Sequence, residues 1–106
     1  MINIKFFHSE NDVPLGFSFK GHADYAAHGS DIVCAAVSSA AYMTSNTVIE
    51  IMGVEADVTV KESGEMTLKI PGEYADKTKD ILLGLEFHIK ELEKQYPKNV
   101  TITTEV

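Results

Sequence analysis

The first part of the chain contains two segments in which apolar and polar residues alternate. Side chains of a β-strand point alternately to its two faces, so each segment predicts a strand with one apolar face and one polar face. The segments cover about 2–8 and 14–21 and are separated by a polar loop. Their apolar faces hold Ile2, Ile4 and Phe6 in the first segment and Leu15, Phe17 and Phe19 in the second.

The hydrophobic period then changes to that of a helix. From Ile32 to about Met52, apolar residues recur at spacings of three and four, which predicts an amphipathic helix. Asp31 is well suited to be its N-cap, and Gly53 is well suited to end it. The stretch 22–30 consists of small and polar residues without a clear period and is predicted to be a loop.

The second half of the chain repeats this change of period. Alternating residues over 54–60 and 66–70, joined by a turn at 63–64, predict a β-hairpin. The helical period returns over 73–95, and Pro97 ends that helix. Val100 and Ile102 then mark a last strand.

The predicted order of elements is β-β-α-β-β-α-β, and it fits one domain over residues 1–106. A sheet that is covered on one side only has strands with one apolar and one polar face. The sequence therefore predicts a two-layer α+β fold, with a mostly antiparallel five-stranded sheet and two helices on one face. The strand order does not follow from this pattern.

The formal net charge of −7 disfavours direct binding to nucleic acid, which normally requires clustered Lys and Arg. The same charge either favours a basic protein partner or simply maintains solubility. No apolar run approaches the about 18–20 residues that span a bilayer, so no membrane association is expected. The start of the chain does not have the pattern of a signal peptide, and its single cysteine precludes an internal disulfide. These features predict a cytoplasmic protein.

One pair of residues has the chemistry of a cysteine peptidase. His22 lies at the predicted end of the second strand, and Cys34 lies in the predicted first turn of the first helix. The helix must fold back against the sheet, which brings the strand end close to the helix start. Unpaired N–H groups and the positive end of the helix dipole would favour a thiolate at Cys34. His22 could take its proton for nucleophilic catalysis, and later protonate the leaving amine.

Each of these residues also has a simpler interpretation. A lone cysteine in a helix rich in Ala and Val is commonly an inert core residue. His22 could equally form hydrogen bonds with nearby backbone at the strand end. No spacing of Cys, His and carboxylates indicates a metal site, and no glycine-rich loop with a lysine indicates a nucleotide, so no cofactor is expected.

Four further residues surround this pair in the sequence. Asp31 could cap the helix or orient His22, as the third member of a catalytic triad does. Ser38, one helical turn after Cys34, could donate a hydrogen bond or could be a small residue that permits close packing. Gly21 and Gly29 bracket the predicted loop, which would close over a substrate.

The chain resembles the family of bacterial ribosomal-processing cysteine proteases, Prp. The matching residues are Gly21-His22-Ala23, then Gly29, then Asp31-Ile32-Val33-Cys34-Ala35-Ala36-Val37-Ser38. The resemblance implies a homodimeric endopeptidase that removes an N-terminal extension from a basic protein, the twenty-seventh of the large ribosomal subunit. It also implies that His22 transfers protons and Cys34 attacks the peptide, with Asp31 and Ser38 in supporting positions.

Two other functions are compatible with the same residues. The first is a ribosome-associated module that binds a peptide end without cleaving it. The second is a redox sensor that uses the thiol of Cys34. Cleavage that depends on both His22 and Cys34 would distinguish the peptidase from these two alternatives.

Overall fold

The computed structural model describes residues 1–20 and 28–106, and the side chains of 1–20 and 32–106. Its elements follow the predicted order β-β-α-β-β-α-β. They are β1 (Ile2–His8), β2 (Pro14–Lys20), α1 (His28–Asn46), β3 (Asp57–Val60), β4 (Met66–Lys69), α2 (Ala75–Gln95) and β5 (Val100–Glu105). A π-type turn, Thr47–Ile51, extends α1, and a short 3-10 turn, Gly72–Tyr74, precedes α2.

The five strands form one sheet in the order β3-β4-β2-β1-β5. The pairs β1–β2, β2–β4 and β3–β4 are antiparallel, whereas β1 and β5 run parallel. The predicted α+β class with a mostly antiparallel sheet is therefore confirmed. The parallel pair makes the sheet a mixed one. It arises because the chain crosses over through α2 to the far edge of the sheet, where β5 runs in the same direction as β1.

One face of the sheet is buried and the other is open, as the alternating pattern predicts. On the buried face, Phe6 pairs with Phe17, which in turn pairs with Leu68. These residues join the inward side chains of α1 and α2, such as Val37 and Ile89, in a single core cluster. The open face carries hydroxyl and lysine side chains, which explains why the strands are polar at every second position.

The first helix begins earlier than the sequence predicts. It starts at His28, so Asp31 lies inside its first turn and is not the N-cap. The predicted loop of 22–30 is correspondingly wrong for 28–30. Gly29 favoured the prediction of a loop because glycine is a poor helix former. A glycine destabilises a helix by about 1 kcal/mol, and the packing of the following turns into the core outweighs this amount.

The end of this helix agrees with the prediction. The Met52 N–H donates to the Thr47 carbonyl at 2.8 Å, a hydrogen bond of the π type. Gly53 follows with φ of 68°, a left-handed conformation that glycine adopts without steric cost. The chain leaves the helix there and turns toward β3.

The segment Ile32–Ile51 is long and apolar enough to cross a membrane. The expectation that no segment would meet this criterion is wrong. Three isoleucines, three valines and four alanines keep the segment apolar on average, although serine, threonine, asparagine and glutamate residues are interspersed. About a third of the segment is buried inside the protein, including Val33, Val37 and Val48. Core helices of globular domains can meet the same criterion, and these three valines belong to the core cluster.

Candidate active site

Cys34 is the seventh residue of α1, counting from His28. Its side chain is half-buried and packs against the edge of the hydrophobic core. This position lies beyond the predicted first turn of the helix. The unpaired N–H groups of a helix belong to its first four residues, here 28–31, and the dipole effect fades beyond the first turn. The expectation that Cys34 itself lies in that turn is therefore wrong.

The flanks of α1 face different parts of the molecule. Val33 and Val37 point into the core, whereas Ala36 and Ala40 line a groove shared with α2. Successive residues of an α-helix are rotated by about 100°. Cys34 therefore lies on the flank opposite to Ala36, and it faces away from α2. We call the side of α1 that carries Cys34 and Ser38 the thiol flank.

The strand order determines what lies beside the thiol flank. The second helix contacts β2 and β5, so it covers that half of the sheet, and α1 packs alongside it. Met66 and Leu68 of β4 are fully buried, which places α1 over the β4 half. Because the thiol flank points away from α2, it lies on the side of α1 nearer to the edge strand β3.

The groove between the helices lies on the other flank. It has a volume of about 600 Å³ and is mainly apolar. Its lining is formed by Ala36, Ser39, Ala40, Met43, Thr44, Ile81, Gly84, Leu85 and His88. Cys34 is not among these residues, so this groove is distinct from the surface on which the thiol lies.

The other predicted site residues differ in how the structure places them. Ser38 is half-buried on the thiol flank, one turn beyond Cys34. Gly29 and Asp31 belong to the first turn of α1. Gly21 and His22 lie outside the described residues, so the predicted meeting of the imidazole with the Cys34 sulfur stays a prediction. Among the residues that are described, no group of His, Cys, Asp and Glu is suited to hold a metal ion.

A polar cluster that the sequence did not predict lies at the other end of the sheet. The imidazole of His8 forms hydrogen bonds with Glu86 of α2, and with Asp12 at 2.7 Å. Burial acts to lower the pKa of His8, but the hydrogen bonds and charges of Glu86 and Asp12 outweigh it and raise that pKa above 6.5. The signal in the sequence was the position of Glu86 directly beside the apolar stripe of α2, where a carboxylate needs a partner.

This polar cluster is not part of the thiol site. His8 pairs with Pro14 at the start of β2, whereas α1 follows the end of β2. The two groups of side chains therefore belong to opposite ends of the sheet. The cluster contributes to the packing of α2 on the sheet, and it does not contribute to the chemistry at Cys34.

Comparison with known proteins relates this arrangement to a family. The model of the family "Cysteine protease Prp" matches residues 1–101, a range that contains Cys34. The ribosomal processing cysteine protease Prp of Bacillus subtilis is 30% identical over 97 residues, which cover 87% of each chain. The protein of the same name from Staphylococcus aureus is 25% identical over 83 residues, or 77% of this chain and 78% of that protein.

Solved structures show the same fold. The ribosomal processing protease Prp of S. aureus in complex with a substrate peptide superimposes with a TM-score of 0.89 at 21% identity, covering 99% of this chain and 100% of that one. Its complex with a covalently linked product peptide gives a TM-score of 0.85 at 22% identity, with the same coverage. The match of the family model along nearly the whole chain, together with the B. subtilis relative, shows that this chain belongs to the Prp family of cysteine proteases and is a cysteine peptidase.

Proposed function

We propose that the chain is an endopeptidase that removes the N-terminal extension of the twenty-seventh protein of the large ribosomal subunit, with Cys34 as nucleophile and His22 as base. The observation that carries this proposal is that the sequence of a cysteine peptidase contains one cysteine. That residue is half-buried on a flank of α1 that faces away from the other helix. The names of the relatives, which describe ribosomal processing proteases, support the substrate class.

The proposed reaction is acyl transfer in two steps. His22 takes the proton of the Cys34 thiol, and the sulfur attacks the carbonyl carbon of the scissile peptide bond. A carbon–sulfur bond forms, the carbon–nitrogen bond breaks, and the imidazolium gives its proton to the leaving amine. Water then attacks the thioester with His22 as base, which releases the carboxylate product and restores the thiol. The covalently linked product peptide of the S. aureus relative supports a covalent step.

Charge supports the choice of a basic substrate. The chain carries 16 acidic and 9 basic residues, for a formal net charge of −7. Ribosomal proteins are generally rich in Lys and Arg, and opposite charge accelerates encounter at low ionic strength. Cleavage should accordingly slow as salt is added, because screening weakens this attraction.

The experiment that tests the function is incubation of the protein with the unprocessed ribosomal protein, followed by mass measurement of the products. We expect one shortened product with the wild type and none with Cys34→Ala. Ser39→Ala is the matched control, because Ser39 lies on the opposite flank of the same helix. A wild type that leaves the substrate intact at stoichiometric amounts, or a Cys34→Ala variant that still cleaves it, would contradict the proposal.

The same experiment tests the two alternative functions. A peptide-binding module would bind the extension and release it uncut. A redox sensor would alter its binding after peroxide treatment and would require His22 only to tune the thiol. Loss of cleavage in both His22→Ala and Cys34→Ala, with retained binding of the extension, supports the peptidase over both.

Two further aspects belong to this proposal. A substrate that is part of the ribosome implies action in the cytoplasm, in agreement with the prediction from the single cysteine. A homodimer is consistent with the outer surface of the helix layer, where Met43 and Phe87 are exposed. Sedimentation equilibrium should give twice the chain mass of 11.6 kDa, and a single-chain mass at micromolar concentration would contradict the dimer.

A further inference from the structure

Strand β3 is an edge strand, and its hydrogen-bonding groups can be assigned from its register. Thr59 pairs with Thr67 and Val60 with Met66, and the Lys61 N–H donates to the Glu65 carbonyl at 2.9 Å. In an antiparallel ladder, hydrogen-bonded and non-hydrogen-bonded pairs alternate. Positions 57, 59 and 61 therefore bond to β4, whereas the N–H and C=O groups of Val58 and Val60 point to the free edge.

The side chains of the same two valines are apolar and exposed. Their cross-strand partners, Leu68 and Met66, are 0% and 2% exposed, whereas Val58 and Val60 are 40% and 57% exposed. Residues that pair directly lie on the same face of the sheet. The apolar layer beneath the helices therefore continues onto β3, where α1 no longer covers it.

This uncovered edge lies beside the candidate nucleophile. The thiol flank of α1 points away from α2, which covers the β2–β5 part of the sheet, and thus toward the side of the molecule on which β3 is the edge. Helix α1 follows the end of β2. Near that end, Phe19 pairs with Met66 of β4, and Met66 pairs in turn with Val60 of β3. Cys34 lies about 9 Å along the helix axis from His28, so it stays at this end of the sheet.

The charges around β3 suit a basic chain. Glu55, Asp57 and Glu62 are exposed next to the two valines, and the stretch 55–62 contains one lysine, Lys61. Across the ladder, Lys69 pairs with Asp57, and Glu65 lies 3.8 Å from Lys61. A peptide that leads into a ribosomal protein, rich in Lys and Arg, would therefore meet four carboxylates and two amines. Attraction of this kind also favours the correct docking register.

We propose that the substrate peptide binds as an additional strand on the free edge of β3, with apolar side chains against Val58 and Val60 and its scissile bond presented to the thiol flank. This proposal rests on the proposed function and specifies how that function selects its substrate. Strand addition uses backbone hydrogen bonds for affinity and pockets at alternate positions for specificity. Apolar residues at every second position are therefore expected on the side of the substrate strand that faces α1.

One test modifies the enzyme at the edge. Val60→Pro removes the N–H that points outward and leaves the hydrogen bonds of positions 59 and 61 to β4 intact, and proline is tolerated on edge strands. We expect KM for the unprocessed ribosomal protein to rise about five- to tenfold, the size of one lost hydrogen bond. The control is Thr59→Ala on the open face of the same strand, which should retain KM within about twofold because it removes neither an outward N–H nor an apolar contact.

A second test modifies the substrate, so that it does not depend on folding of a variant. Peptides that span the extension are N-methylated at one position at a time, and their binding to Cys34→Ala is measured. Strand addition predicts that affinity falls about five- to tenfold at every second position and is retained at the positions between. The β3 proposal would be overturned by an affinity loss without this alternation, or by an unchanged KM in Val60→Pro. In either case, cleavage by the wild type would still support the proposed function. Absence of wild-type cleavage would overturn the proposed function itself.

Discussion

Ser38 is a polar residue on the thiol flank, one helical turn away from Cys34. A hydroxyl at this place can donate to a substrate carbonyl or to the base. A neutral hydrogen bond contributes about 1 kcal/mol. We therefore expect Ser38→Ala to reduce kcat/KM about fivefold without change in the free energy of unfolding beyond about 0.5 kcal/mol.

The matched control for this residue is Ser39→Ala on the opposite flank of α1, which should leave kcat/KM unchanged. Equal kinetics for the two variants would assign Ser38 to helix packing alone. A loss of stability in Ser38→Ala, with kinetics intact, would lead to the same conclusion.

Gly16 shows how strongly a single position can depend on the absence of a side chain. Its φ is +147°, and a Cβ atom there would lie 2.1 Å from the carbonyl oxygen of Leu68 in β4. Overpacking of this kind costs typically 1–3 kcal/mol, and the backbone conformation adds to it. We expect Gly16→Ala to lower the free energy of unfolding by about 3 kcal/mol in urea denaturation.

Gly72→Ala is the control for that substitution, because a Cβ at Gly72 meets no atom within 4 Å. It should leave the free energy of unfolding within about 0.5 kcal/mol of wild type. A Gly16→Ala protein as stable as Gly72→Ala would show that β2 and β4 are free to separate, and would contradict the tight register between them.

At the scale of elements, α2 contains a glycine without a packing reason. Gly84 lies in the middle of the helix, borders the groove with α1, and has open space where a Cβ would be. Glycine in a helix interior costs about 0.5–1 kcal/mol relative to alanine. We expect Gly84→Ala to raise the free energy of unfolding by about that amount, measured by urea denaturation.

Gly53 provides a comparison of opposite sign. It ends α1 with φ of 68°, a conformation in which an alanine is strained by about 1–2 kcal/mol. Gly53→Ala should therefore destabilise the protein although its Cβ would also meet open space. If both alanine variants changed stability in the same direction, backbone conformation would not be the deciding factor.

The elements differ in how far their boundaries followed from the sequence. The bounds of β1 agree with its alternating pattern, and the second helical pattern begins within the 3-10 turn that leads into α2. The start of α1 was predicted four residues too late, because Asp31 is a good N-cap in isolation. Capping preferences amount to about 1 kcal/mol, so the packing of a long apolar helix can move a boundary past them.

At the scale of the whole molecule, the pair His8–Glu86 joins two elements that are 78 residues apart in the sequence. The pKa of His8 is raised because the hydrogen bonds and charges of Glu86 and Asp12 outweigh the opposing effect of burial. A raised pKa means that the pair stabilises the fold fully below the unfolded value of about 6.5. This contribution is lost as pH rises through the higher pKa of the folded state.

We therefore expect the difference in melting temperature between wild type and Glu86→Gln to be larger at pH 5.5 than at pH 8.5. Asp12→Asn is the milder control, because the Asp12 side chain is 88% exposed and its charge is screened by water. Thermal denaturation followed by circular dichroism across this range measures the effect. A difference that is constant, or that grows with pH, would contradict the raised pKa of His8.

The sequence by itself determined which faces of the strands and helices are apolar, where most elements begin and end, and that Cys34 is the candidate nucleophile. These properties follow from local periodicity and residue chemistry, which adjacent residues encode. The same patterns predicted a two-layer fold, because five strands with one apolar face each need a single layer of helices.

Only the tertiary structure decided the strand order, the parallel pairing of β1 with β5, and that Cys34 lies on the flank of α1 opposite to the groove with α2. It also decided that His8 and Glu86 meet. Periodicity indicates that a face is buried, but it does not indicate which element covers that face. Ile2, for example, pairs with Val100, which lies near the other end of the sequence. Such long-range pairings depend on the packing of all elements together, which no local stretch of the sequence contains.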